Sequence, residues 1–245
     1  MGKRIYLIIL TLVTVSAIII GSMLHLWGAF GGFGSQAGFQ EEVESYSNIE
    51  IKCDYMETKI REGNSFKVDY KGSKKGRPAI IVKEDTMYVE QPGAGKVHFL
   101  SWGSQKASLT IYVPKGIPLN NITAEQDVGA LDIKNISAEN VNITCDVGDV
   151  EINNAKLINL EASCDVGDFD MDKTKFDTAV VTSNVGDVDI SGVKDLDAYE
   201  MDLSNDLGDI KVNGRNEKSS YRTQGTTNKR IEITNDIGDI KIAND

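Results

Sequence analysis

From residue 119 onward, apolar and polar positions alternate in short bursts that break at a glycine and resume one step out of phase. Val141, Ile143 and Cys145 alternate with Asn142, Thr144 and Asp146; after Gly148-Asp149, Val150 and Ile152 flank Glu151. A period of two marks a half-buried strand, so each burst predicts two strands joined by a two-residue corner at Gly-Asp. Glycine suits that corner because tight turns often need a positive φ. Asn153-Asn154 predicts a second corner.

The unit returns six times, at residues 127–133, 146–152, 165–171, 184–190, 206–212 and 236–242, with starts 19, 19, 19, 22 and 30 residues apart. A fixed period near 20 residues marks stacked repeats in which no unit buries its own apolar face. The predicted fold is all-β: a β-solenoid, a single-stranded β-helix-like stack of coils of about 19 residues spaced about 4.8 Å apart. Ile122, Val141, Leu160, Ala179, Met201 and Ile231 form one predicted ladder, in that order. Val128, Val147, Val166, Val185, Leu207 and Ile237 form another on the inward side. The solenoid occupies residues 120–245. Residues 46–119 also alternate, at 49–52, 65–70, 79–82, 87–89 and 107–113, and predict a less regular β cap that continues the same sheets.

The first residues differ in kind. After a short tail, 1–4, residues 5–27 contain no Asp, Glu, Lys or Arg, long enough to cross a hydrocarbon core of about 30 Å as one transmembrane helix. Lys3 and Arg4 before it place the N-terminus in the cytoplasm and the rest of the chain outside, in a single-pass cell-membrane protein. The rival is a cleaved signal peptide with Ser35-Gln36-Ala37 as its small-x-small site; the length of the apolar run favours the anchor. Residues 28–45 then form a Gly-rich spacer.

Charge narrows the function. With 26 basic against 37 acidic residues the chain carries a net −11, which argues against nucleic acid as a partner and permits display in solvent or attraction of cations and basic peptides. Cys145 and Cys164 fall one period apart and should stack inward as buried free thiols, while Cys53 has no evident partner. The only histidines are His25, in the apolar run, and His98, with no nucleophile motif around it. Gly93-Ala94-Gly95-Lys96 lacks the spacing of a phosphate loop. No catalytic residue, no cofactor and no enzymatic activity are expected.

One stacked set of residues carries candidate binding chemistry. Asp127, Asp146, Asp165, Asn184, Asp206 and Asp236 share one predicted position, and Asp149, Asp168, Asp187, Asp209 and Asp239 share another. Carboxylates at such positions satisfy backbone groups at corners. Alternatively Asp146, Asp149, Asp165, Asp168, Asp187, Asp206 and Asp209 form a weak calcium ladder, oxygen ligands between coils. Turn chemistry is favoured, because the glycine-rich nonapeptide of calcium-binding β-rolls is absent.

A strand ending in Val113-Pro114-Lys115-Gly116, then Leu119-Asn120-Asn121-Ile122, then serial Gly-Asp strands, resembles the bacterial putative-adhesin family, a toastrack-like domain of unknown function. The resemblance covers about residues 46–245. It implies a bacterial envelope protein, in a family whose members often accompany membrane-stress systems, and it supplies no catalytic residues. The expected function is a membrane-anchored extracytoplasmic binding or scaffold module, adhesin-like; the alternative is a polysaccharide- or cell-wall-acting enzyme on a β-helix scaffold. The chain ends three residues after Ile242, so the last coil is expected to be an open edge for a partner or a second copy.

Overall fold

The computed structural model describes residues 36–91 and 107–245. The expected anchor at residues 5–27 lies outside them, as do His25, His98 and the segment 93–96. No helix among the described residues is long and apolar enough to cross a membrane.

Each repeat supplies one long and one short strand. Ser137–Val147 is followed by Val150–Asn153, and Lys156–Val166 by Phe169–Asp172. Long strands pair in parallel within a ten-stranded sheet, and short strands within a separate eleven-stranded sheet. The register is one repeat per step: Val141 faces Ile122 on one side and Leu160 on the other. Inward residues of the long strand, such as Val141 and Ile143, meet Val150 and Ile152 of the short one, and all four are buried. Each fully buried Val or Ile contributes about 1.5–3 kcal/mol, and the two inner faces together make one core.

Three expectations need correction. The coils do not close into a single-stranded β-helix: extended backbone forms only two runs per repeat, so the stack is two separate sheets over a shared core. Nor do the coils follow sequence order. Named by their corner glycines they stack as Gly129, Gly148, Gly167, Gly186, Gly238 and Gly208, with Lys229–Ile237 pairing Thr178–Val185 on one side and Tyr199–Leu207 on the other. The ladder members are as expected, but Ile231 precedes Met201. The last coil is therefore interior, and the open C-terminal edge does not exist. The reason lies in the insertion after Val212: Arg215–Glu217 and Ser220–Thr223 fold back antiparallel onto the Gly208 coil and occupy its outer edges.

At the other end two coils precede the first Gly-Asp copy. Asn48–Tyr55 and Glu57–Gly63 pair in parallel with the Gly129 coil. Thr86–Glu90 and Ser108–Pro114 lie below them. Antiparallel strands Ala79–Lys83, Lys67–Ser73 and Gln36–Glu42 finish that end. Both ends of the stack are thus closed by antiparallel strands of the same chain.

Candidate functional site

The Gly-Asp corner runs as a continuous edge along the stack, and three rows of side chains and one row of peptides build it. The six corner glycines have φ between 141° and 151°. A Cβ on any of them would sit 1.8–2.1 Å from the carbonyl oxygen at the corner of the adjoining coil. No side chain fits there. The coil below Gly129 carries Met56 at this position, and the Met56 carbonyl is the one that Gly129 approaches.

Close stacking leaves the Gly-Asp peptide turned out of the ladder. Gly167 N–H donates to Val185 O and Phe169 N–H to Asp187 O, both at 2.9 Å, but the Asp168 N–H between them faces the previous coil. There a carboxylate accepts it: Asp149 Oδ1 from Asp168 N at 3.0 Å and Asp168 Oδ1 from Asp187 N at 2.8 Å. The same bond links Asp187 Oδ1 to Asp239 N at 2.8 Å and Asp239 Oδ1 to Asp209 N at 3.0 Å. The bond from Asp209 N–H holds the Asp239 carboxyl below its usual range. The inner acid row is therefore part of the fold.

Several corner carbonyls are satisfied from inside. Gln126 Nε2 donates to Met56 O at 2.9 Å, Asn235 Nδ2 to Gly186 O at 3.1 Å and Asn205 Nδ2 to Gly238 O at 2.8 Å. The Cys145 thiol sits 3.7 Å from Gly129 O. Gln126, Cys145, Cys164, Ser183, Asn235 and Asn205 form one in-register buried column. Its signal in the sequence is a polar or sulfur residue just before each Asp, where alternation calls for an apolar one.

The outer acid row behaves differently. Burial, then the charges of Asp54, Asp146 and Glu125, raise the Asp127 carboxyl above its usual range. Asn184 interrupts the row and donates to Asp165 Oδ1 at 3.0 Å. Asp146, Asp165 and Asp206 lie in this row; Asp149, Asp168, Asp187 and Asp209 lie in the inner one. Among the described residues no three or more His, Cys, Asp or Glu side chains are grouped to hold a metal ion.

Between the acid rows lies the row expected to face inward. Val128 is 41% exposed, Val166 39% and Leu207 47%, with Val147, Val185 and Ile237 half-buried beside them. The chain leaves the sheet at this residue, so strand alternation no longer sets its direction. An apolar stripe flanked by carboxylates therefore spans six coils, about 24 Å from first to last at the parallel-strand spacing. Three of its six residues are exposed and three half-buried, and exposed apolar patches are where partners commonly dock. The outer face of the long-strand sheet also has a shallow depression of about 420 Å³, lined by Asn142, Thr144, Glu161, Ser163 and Thr182 among others, whose one carboxylate is Glu161.

Residues 46–220 and 148–243 match the family model described as Toastrack DUF4097. No curated protein matches the chain. A solved structure of a putative cell adhesion protein from Clostridium sporogenes is 15% identical, with a TM-score of 0.55 over 86% of this chain and 100% of that one. A putative adhesin from Bacteroides fragilis, also 15% identical, has a TM-score of 0.49 over 87% of this chain and 99% of the other.

Proposed function

The chain belongs to the Toastrack DUF4097 family, and on that premise we propose that it is a membrane-anchored binding module of the bacterial envelope. In this reading residues 5–27 hold the chain in the membrane, and the stack, an open two-sided β-solenoid, stands outside the cytoplasm. Its binding surface is the corner stripe. The observation that supports this is the exposed row from Val128 to Leu207 between two carboxylate rows, on an edge held rigid by bonds from every coil to the next. Val and Leu exposed at this density favour an apolar partner surface, and the flanking acids favour basic groups on that partner. The carboxylates of Asp149, Asp168, Asp187 and Asp239 are already engaged by backbone amides, so they lend charge without the freedom that acid–base catalysis needs.

A photo-crosslinking residue at Val166 of the full chain, in living cells, tests the assignment. Adducts are expected there and not with the same residue at Lys173 on the opposite corner; Leu207→Asp should weaken them. Equal yields from both positions, or none from Val166, would contradict it. In cells stripped of their wall, added protease should digest the stack while a cytoplasmic marker survives.

A further inference from the structure

We propose that the edge of strand Ala79–Lys83 is a docking site for one extended, Val/Ile-rich segment of a partner protein, taken up as an added strand beside it. The site is separate from the corner stripe. It arises because the two sheets end unequally. Beyond the coil of Asn48–Tyr55 and Glu57–Gly63, the short-strand sheet adds Ser108–Pro114, Lys67–Ser73 and Gln36–Glu42, while the long-strand sheet adds only Thr86–Glu90 and Ala79–Lys83. Among the described residues Gln36–Glu42 therefore has no strand across the core from it. Its Phe39, paired with buried Tyr70, is half-buried beneath the Arg77 guanidinium, 4.0 Å from the ring centre. At the opposite end the sheets finish level, each with one antiparallel strand beyond the last coil.

Of the four strands that end the sheets, this one is unguarded. Edge strands are commonly kept from other chains by charges or by being very short. Gln36–Glu42 holds Glu41 and Glu42, Arg215–Glu217 is three residues with a charge at each end, and Ser220–Thr223 holds Arg222. Ala79–Lys83 reads Ala-Ile-Ile-Val before its single lysine. Ile81 is 61% exposed, the most exposed large apolar side chain among the described residues, and its register partner Tyr88 is 39% exposed. The hairpin sets the backbone phase. Glu84 and Asp85 have φ of 50° and 64°, the two-residue turn that closes with a hydrogen bond between its flanking residues, here Lys83 and Thr86. Antiparallel alternation then turns the peptide groups of Ala79, Ile81 and Lys83 toward Thr86–Glu90 and leaves the N–H and C=O of Ile80 and Val82 facing outward. An antiparallel strand centred opposite Ile81 meets those four groups. Its outward side chains extend the Tyr88–Ile81 row, and its inward ones face Ile80, Val82 and Phe39, so both faces ask for β-branched apolar residues. Ala79 pairs with Glu90, and its small side chain leaves that carboxylate within reach of a lysine or arginine on the incoming strand. A second copy of this chain does not fit the edge. The strand Lys67–Ser73 opposite its own Ala79–Lys83 would fall where Gln36–Glu42 already stands.

Amide hydrogen exchange on the full chain in detergent micelles, with a blocked peptide repeating residues 78–84 as the probe, tests the site. In the free chain Ile80 and Val82 should exchange fast and Ile81 slowly. The peptide should slow Ile80 and Val82 at least tenfold and leave the Gly-Asp corners unchanged. The same peptide with proline in place of its valine should have no effect, and Ile81→Lys, an outward substitution, should weaken peptide binding at least tenfold. Where that variant fails to fold, the exchange pattern of the wild-type chain decides. Protection of Ile80 and Val82 without peptide at every dilution would mean that the chain covers its own edge, and protection that grows with chain concentration would mean a second copy. No slowing, or equal slowing by the proline peptide, would mean that no strand is taken up. Each of these results would overturn the proposal.

Discussion

Two corners turn the chain in each regular coil, and both use left-handed or related backbone, yet they tolerate different residues. At the first, glycine stands in all six copies. At the second, the successive residues are Asn135, Asn154, Lys173, Gly192 and Asn213, with φ between 48° and 65°. The difference is in what lies beside them. Asn135, Asn154, Lys173 and Asn213 point their side chains into solvent, so in those four coils the corner asks only for a conformation, which Asn adopts readily; at Gly192 a Cβ would press on Lys173 at 2.8–2.9 Å. The Gly-Asp corner asks for space as well, because the adjoining carbonyl fills the place of a Cβ. One demand arises within a coil and the other between coils.

The largest effect should come from the demand between coils. Gly167→Ala is expected to cost about 3 kcal/mol or more, from strained φ plus overpacking. Gly214→Ala, at φ 73° with nothing within 4 Å of the added Cβ, should cost about 1 kcal/mol. Denaturant unfolding of the two variants separates them; equal costs would mean that conformation alone governs both. Next in size, Asn205→Ala leaves Gly238 O without its donor and should cost about 1–3 kcal/mol, measured in the same way. At the solvent-facing corner, Asn154→Gly relieves a positive φ and loses an exposed bond to Asn135 Oδ1, so its melting temperature should stay close to wild type, a change of about 0.5 kcal/mol at most.

The acid rows sharpen the contrast through pH. Asp239 has a lowered folded pKa, so its stabilisation is present above the unfolded carboxylate range and is lost as pH falls through the folded value. Asp127 has a raised one, so the native state holds its proton more tightly and stability declines as pH rises through that window. Asp239→Asn should therefore lower the melting temperature at neutral pH and Asp127→Asn should raise it. Both differences should shrink as pH falls below the carboxylate range.

Much of this was legible before any coordinates. The six copies, the two-residue corner and the ladder members follow from period-two alternation broken at Gly-Asp, and the family resemblance rests on the same residues. Coil order was not legible, because copies five and six carry nearly identical patterns and either can stack on copy four. A faint trace existed: Lys211 and Lys241 stand where earlier copies carry acids, and Lys241 reaches Asp187 at 3.4 Å across the coil boundary. The coil containing Met56 was hidden because the sequence test was a glycine, which that end of the stack does not need. The outward turn of Val128, Val166 and Leu207 was hidden because alternation describes strands and stops describing residues at a corner.

The claim that each corner is completed by its stacked neighbour is tested most directly by amide hydrogen exchange in Asp168→Ala. Asp187 N–H donates to Asp168 Oδ1 at 2.8 Å, while Asn154 N–H donates to Asp172 O at 2.9 Å at the other corner. Exchange should quicken selectively at Asp187, with Asn154 and the strand amides keeping their wild-type protection. Unchanged protection at Asp187, or a uniform loss across the stack, would contradict the claim.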